Sequence, residues 1–369
     1  MKQLGFGLMR LPLLQAEDAR TIDLEQLNKM VDTFIEQGYT YFDTAYMYHN
    51  GASEQMVKEA IVKRYPRSAF TIASKLPTML LQNLGDQERI FSEQLERTGA
   101  GYFDYYLLHA LDRSKYETAK RLKSFEFVAR LKEQGLIKRM GFSFHDSAEV
   151  LDQILTEHPE MEFVQLQINY LDWDDPGVQS KLCHETACRH GKDIIIMEPV
   201  KGGRLANISP YGEKIYRAIH PNWSMASWAL RYAAGLDNVK MVLSGMSSMQ
   251  QLQDNISTIN DLSPLNAQEL AAIQEVAQII RRGIAIPCTA CRYCVEGCPQ
   301  HIAIPDYFAL YNKMFEEPNA SARQLYDGYV SAGSGKASDC IACGQCEHSC
   351  PQHLSIIEDL KRVAQQFEK

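Results

Sequence analysis

Residues 39–75 read YTYFDTAYMYHNGASEQMVKEAIVKRYPRSAFTIASK, and this stretch decides the fold. Two short runs rich in aromatic and β-branched residues, 39–44 and 70–75, flank a segment, 53–65, whose apolar residues recur at helical spacing. Strand, helix and strand in that order call for a parallel pair joined by a crossover helix. The pattern repeats outward in both directions, with strand candidates at 4–9, 104–109, 139–144, 163–169, 193–199 and 239–245. Helical patterns lie between them, at 24–37, 115–134 and 223–234, and Gly38 and Gly135 stand where a left-handed residue closes a helix. Eight strand candidates alternating with helices close most simply into a (β/α)8 TIM barrel.

The chain is longer than such a barrel needs. At 369 residues it exceeds the roughly 250 of a typical barrel, and after the helical pattern at 266–282 the composition changes at GIAIPC. The expected division is a barrel domain, 1–283, and a second domain, 284–369, in which 305–329 reads as helical and aromatic-rich. Hydrophobic residues at 45% and charged residues at 23% indicate ordinary folded material. A formal net charge of −8 leaves no basic footprint for nucleic acid or an anionic membrane surface. The N-terminal apolar stretch is broken by Arg10 and Pro12, and no run reaches about 18 apolar residues, so a cytoplasmic location is expected. In a reducing compartment cysteines serve metals rather than disulfides, and eight of the ten lie from Cys288 onward.

The chemistry of such a barrel sits at the C-terminal ends of its strands. Strand two brings Asp43 and, a loop step later, Tyr48. Strand three brings Lys75, and strand four brings His109. A phenol is too weak an acid to donate a proton efficiently near neutrality, and an adjacent ammonium strengthens it. Lys75 fills that role for Tyr48, Asp43 keeps Lys75 charged, and His109 orients a carbonyl oxygen by a hydrogen bond. The set suits carbonyl reduction, with a proton from Tyr48 and a hydride arriving at carbon.

The motifs FDTAYMYHNGASE (42–54), IASKLP (72–77), YYLLHA (105–110), GFSFHD (141–146) and VQLQINY (164–170) resemble the aldo-keto reductases. The resemblance implies a catalytic tetrad of Asp43, Tyr48, Lys75 and His109. It also implies a nicotinamide nucleotide, NADPH or NADH. The ring would be held by Ser143, Gln165 and Asn169 above the loop 197–203, which carries Met197 and Lys201. The remainder of the nucleotide would lie on Ser244, Gly245, Ser247, Gln251, Asp254 and Asn255. Phe144 stands where many members carry an amide-binding Asn, Met197 where many carry a stacking Tyr, Gln251 in place of an Arg and Gly245 in place of a Lys. Without those two cations, preference for the 2′-phosphorylated cofactor is expected to relax.

The tail holds CTACRYCVEGCP (288–299) and CIACGQCEHSCP (340–351), both matching CxxCxxCxxxCP. Two-residue gaps let three thiolates wrap one cubane, while the fourth cysteine, ahead of proline, serves the other cluster. Two [4Fe–4S] clusters are expected, one on Cys288, Cys291, Cys294 and Cys350, the other on Cys340, Cys343, Cys346 and Cys298, in an α-helical ferredoxin-like domain. Zinc ribbons use paired CxxC units and leave the third cysteine and the CxxxCP end unexplained.

Two functions are compatible with these features. One is an oxidoreductase that reduces a small-molecule carbonyl substrate with NAD(P)H, the clusters serving one-electron transfer or support. The alternative is an electron-transfer component that passes electrons to a flavin or a redox partner protein, the barrel acting as docking or altered catalytic body. No flavin motif and no GxGxxG opening a βα unit is present.

Overall fold

A computed structural model describes residues 2–15, 18–316 and 321–368. Eight parallel strands close into a barrel in chain order: β1 (Leu4–Gly7), β2 (Tyr41–Asp43), β3 (Thr71–Leu76), β4 (Phe103–Leu111), β5 (Ile137–Phe144), β6 (Phe163–Gln167), β7 (Asp193–Met197) and β8 (Val239–Gly245). Closure is made where Leu4 through Gly7 register with Val242 through Gly245. The helices that return the chain between strands are α1 (Leu24–Glu36), α2 (Ala52–Val57), α3 (Leu84–Thr98), α4 (Arg113–Arg121), α5 (Ser124–Glu133), α6 (Ala148–Glu157) and α7 (Ser180–Arg189). They are followed by α8 (Pro210–Ile219), α9 (Met225–Ala234), α10 (Met249–Asn260) and α11 (Ala267–Gly283).

Several elements depart from the expected bounds for local reasons. Strand β2 starts at Tyr41 because the Tyr39 N–H bonds to Phe34 O and Gly38 adopts φ +78, so both residues belong to the turn that ends α1. The helix expected at 115–134 is two helices, α4 and α5, broken where Lys123 adopts φ 54. The break lets Tyr116 and Ala119 on one side and Phe125 and Val128 on the other both face the core. The helix expected at 53–65 stops at Val57 and continues as a π turn, Lys58–Val62.

Alternation along the strands splits the core in two. Phe42, Ile72, Phe142, Val164 and Ile194 point outward against the helices. Tyr41, Ala73, Leu107, Phe163, Ile195, Met241 and Leu243 fill the barrel interior, where Tyr105 meets Tyr41 and Phe163 edge-on with ring centroids 5.0 and 5.1 Å apart. The interior leaves no room at Gly141, where a Cβ would stand 2.4 Å from Phe163 O and 2.8 Å from its ring. Gly141→Ala is therefore expected to cost about 2 kcal/mol or more by overpacking, read as a lower denaturation midpoint with an unchanged m-value. A midpoint equal to wild type would mean that β5 and β6 are not held at this separation.

Chain contacts divide the protein into two compact units, 1–200 with 226–266 and 201–225 with 267–369. The second unit holds α8 and α11 together with the segment expected from 284 onward. It continues through α12 (Tyr293–Glu296), α13 (Ile304–Glu316), α14 (Ser321–Ser331), α15 (Gln345–His348) and α16 (Ile356–Phe367). The helical reading of 305–329 is met by α13 and α14, and residues 317–320 fall outside the described residues. Its core is aromatic and aliphatic: Tyr307, Phe308, Tyr326, Ile356, Leu360, Val363 and Phe367. Buried Asn312 ties the entry segment down, accepting from the Ile286 N–H at 2.8 Å and donating to Ile286 O at 2.7 Å.

Candidate active site and cysteine centres

The tight turn after β2 delivers the phenol. His49, Asn50 and Gly51 all adopt positive φ (53, 53 and 87), which reverses the chain directly after Tyr48. Lys75 Nζ lies 2.6 Å from Asp43 Oδ1, 2.9 Å from Thr44 O and 3.4 Å from the Tyr48 hydroxyl. All four tetrad residues are buried, Lys75 completely and Tyr48 with 8% exposed. Burial pulls the Lys75 ammonium below the ordinary lysine range and pushes the Asp43 carboxyl up, each opposed by attraction to the other. His109 is held well below the usual histidine range, first by burial and then by the charge of Lys75, so its imidazole is neutral near pH 7. The Tyr48 and His109 rings meet edge-on at 6.1 Å, and His109 Nδ1 is buried with no hydrogen-bond partner among the described residues.

The backbone around His109 is clamped on both sides. Thr78 Oγ1 donates to His109 O at 2.6 Å, and Ser143 Oγ accepts from the Ala110 N–H at 2.7 Å. Ala110 holds φ 55, a conformation costly for a residue with a Cβ. Ser143, expected beneath a nicotinamide, thus also fixes the residue after His109.

The other residues expected to hold the nucleotide fall into two groups. On β6 and β7, Gln165 Nε2 points at Met197 Sδ, 3.7 Å away, and Gln165 Oε1 is buried without a hydrogen-bond partner among the described residues, which fits a site for an amide donor. Asn169 is engaged locally: Oδ1 accepts from the Leu171 and Asp172 N–H groups, and Nδ2 donates to Asp172 Oδ2 and Glu198 O. At the end of β8, Asn255 Nδ2 donates to Ser244 Oγ at 2.8 Å and Gln251 Oε1 accepts from the Ser247 N–H at 2.7 Å. Ser247 Oγ donates to Arg10 O, and a Cβ on Gly245 would meet the Arg10 side chain at 3.1 Å. The aliphatic stem of Arg10, contributed by the N-terminal segment, therefore packs beside Gly245, a neighbour that the spacing along β8 and α10 does not reveal. Lys201 belongs to the second unit, where it is 4% exposed and its Nζ donates to Gln352 Oε1 at 3.3 Å.

The eight clustered cysteines line two cavities. Cys288, Cys291, Cys294 and Cys350 line one, walled by Ile304, Phe308 and Leu354. Cys298, Cys340, Cys343 and Cys346 line the other, walled by Ile302, Ile304 and Leu360. Each cavity takes three thiols from one motif and the pre-proline thiol from the other. The loops share one backbone design. Ala290, Arg292 and His301 in the first, and Ala342, Gly344 and His353 at the equivalent places in the second, all have positive φ. This turns backbone N–H groups toward sulfur, as in the 3.4 Å approach of the Ala290 N–H to Cys288 Sγ. Four soft donors around an apolar-walled void suit a multi-atom iron–sulfur group, and no set of three His, Cys, Asp or Glu among the described residues is arranged for a single ion.

Comparison with known proteins agrees with this geometry. The aldo/keto reductase family profile matches residues 3–278, and a 4Fe-4S dicluster domain profile matches residues 287–355. An aldo-keto reductase of Mycolicibacterium vanbaalenii is 30% identical over 243 residues, covering 65% of this chain and 79% of the relative. Probable aldo-keto reductase 1 of Glycine max is 29% identical over 257 residues, 66% of this chain and 67% of that one. Among solved structures, the holo form of an aldo-keto reductase from Bacillus halodurans superposes with TM-score 0.58 at 23% identity, covering 74% of this chain and 91% of its own. An aldo-keto reductase from Klebsiella pneumoniae in complex with NADPH gives 0.57 at 19%, covering 74% and 90%. The chain is an oxidoreductase of the aldo/keto reductase family, with a 4Fe-4S dicluster domain following its barrel.

Proposed function

We propose that the barrel reduces a small carbonyl compound with NADPH or NADH, or runs the reverse oxidation, and that the second unit carries two [4Fe–4S] clusters. The observation that carries the first part is the buried chain Asp43–Lys75–Tyr48, beside a neutral His109. The nicotinamide, when bound, supplies the hydride. Every other part of the reaction falls to this chain's residues: the neutral imidazole of His109 donates a hydrogen bond that orients the carbonyl oxygen, Tyr48 gives that oxygen its proton, and Lys75 stabilises the phenolate left behind. Burial of all four side chains excludes bulk water and strengthens each of these interactions. Anaerobic turnover of a panel of aldehydes and ketones with both nucleotides tests the reading. Absence of any nucleotide-dependent reduction by iron-replete protein would refute it.

Cofactor choice follows from the end of β8. With Gln251 bonded to Ser247 and no lysine at 245, NADH is expected to serve within about tenfold of NADPH, since one charge-assisted phosphate contact is worth about 1.5–3 kcal/mol. Dissociation constants for both nucleotides measure this. Strong NADPH selectivity that disappears in Arg10→Ala would identify Arg10 as the phosphate-binding cation.

For the clusters we propose one-electron exchange with a redox partner protein in the cytoplasm. Cys343 is exposed, and beside it Ile341 is 59% exposed, so the second cysteine set reaches the surface. Hydride transfer moves two electrons and each cluster one, so direct exchange between nicotinamide and cluster is not part of this reading.

A further inference from the structure

The turn that delivers Tyr48 to the barrel interior delivers Glu54, at the start of α2, to the opposite side of β3. Glu54 is fully buried, and burial pushes its carboxyl above the ordinary range, opposed by the hydrogen bonds from Gln94 and Ser74 and by the charges of Arg97 and Lys75, which favour the ionised form. Its Oε1 accepts from Ser74 Oγ at 2.9 Å and from Gln94 Nε2 at 2.7 Å, while Oε2 lies 3.7 Å from Arg97 Nη1 and makes no hydrogen bond among the described residues. Gln94, on α3, also reaches Lys75 O at 3.1 Å, and the Tyr106 hydroxyl, donating to Gln94 Oε1 at 2.7 Å, fixes which way that amide faces. The residue before Lys75 and the carbonyl of Lys75 itself are thus both tied to one carboxylate and its amide partner. A buried carboxylate with an unsatisfied oxygen is costly, and packing alone does not call for one.

We propose that Glu54 is a positioning residue for the proton donor, clamping β3 from outside the barrel and placing a second negative charge behind the Lys75 ammonium. Asp43 contacts Lys75 directly, and Glu54 acts on it across the strand. Burial opposes the charged lysine, and attraction to Asp43 and then to Glu54 counters that opposition. The countercharge on Glu54, Arg97, is only partly buried and is shared with Glu93 and the Tyr46 ring, so water screens it more than it screens Lys75. The remaining titratable neighbours are Tyr106 beside Glu54, and His109, with His145 and Lys115 behind it, beside Tyr48 and Lys75.

This inference rests on the reading of Tyr48 as proton donor, and its test separates the two. Removing the charge in Glu54→Gln makes both the ammonium and the phenol give up their protons more readily, so the alkaline limb of kcat/KM for carbonyl reduction moves to lower pH by about one unit. Glu54→Asp keeps the charge and returns the limb toward wild type. Arg97→Gln, a partly exposed change that should fold, uncovers the charge on Glu54 and moves the limb upward. The phenol itself is followed without substrate, as the phenolate absorbance of the holoprotein minus that of the same protein carrying Tyr48→Phe. That titration moves in the same direction as the limb in each variant. A limb and a phenol titration that both stay at the wild-type pH in Glu54→Gln and Arg97→Gln overturn the proposal, however much kcat falls. Activity that survives Tyr48→Phe overturns the donor reading instead.

Discussion

Carbonyl reduction by the Tyr48→Phe protein is expected to fall at least about a hundredfold, a loss of about 2.7 kcal/mol of transition-state stabilisation, while nicotinamide affinity hardly changes. The substitution deletes one oxygen atom, 3.4 Å from Lys75 Nζ, and leaves the ring and its edge contact with His109 in place. Neither the Lys75–Asp43 pair nor Gln165 depends on that oxygen, so the fold and the nucleotide site are preserved. Lys75→Met has a different signature. It is also expected to abolish reduction, but it leaves the Asp43 carboxylate buried without its partner, at a cost of about 3–5 kcal/mol in stability. Steady-state rates, nucleotide titrations and denaturation midpoints on the two variants separate chemistry from folding. Tyr48→Phe protein that turns over at the wild-type rate would show that the proton comes from elsewhere.

The second large effect concerns iron. Wild-type protein is expected to hold about eight irons per chain, and Cys350→Ala about four. Because Cys350 shares its cavity with Cys288, Cys291 and Cys294, the cluster lost is the one built on the first motif, although the altered residue lies in the second. Iron analysis and electron paramagnetic resonance of the reduced protein, compared with Cys343→Ala as a marker for the other cavity, identify which signal disappears. If Cys350→Ala and Cys343→Ala remove the same signal, each motif binds its own cluster and the exchange of fourth ligands is wrong.

Much of this was legible in the sequence because its signals are local. The βα alternation, the tetrad residues at strand ends and the cysteine spacings each depend on a few neighbouring positions, and the barrel and the two cysteine sets follow from them. What the sequence hid depends on contacts between distant segments. Glu54 reads as an ordinary residue in the first turn of a helix, and only the fold brings Ser74 and Gln94 to it. Arg10 lies far in sequence from Gly245 and becomes its neighbour through closure of β1 on β8. The break at Lys123 was missed for another reason: apolar spacing continues through it, and no glycine or proline marks a left-handed residue.

The second unit has a consequence for how the protein is made. Residues 201–225 are translated before β8, yet they join a unit whose other part begins at Ala267 and runs to the end of the chain. α8 meets α11 only after that helix is made, and the eight clustered cysteines are translated later still. Contacts that bridge so long a sequence separation form slowly and late. Assembly of the proposed clusters is therefore expected among the last events of maturation. For the same reason a fragment cut at residue 284 is expected to transfer poorly: it leaves behind α8 and α11, and grafting it onto another barrel would transplant the cysteines without all of the helices grouped with them.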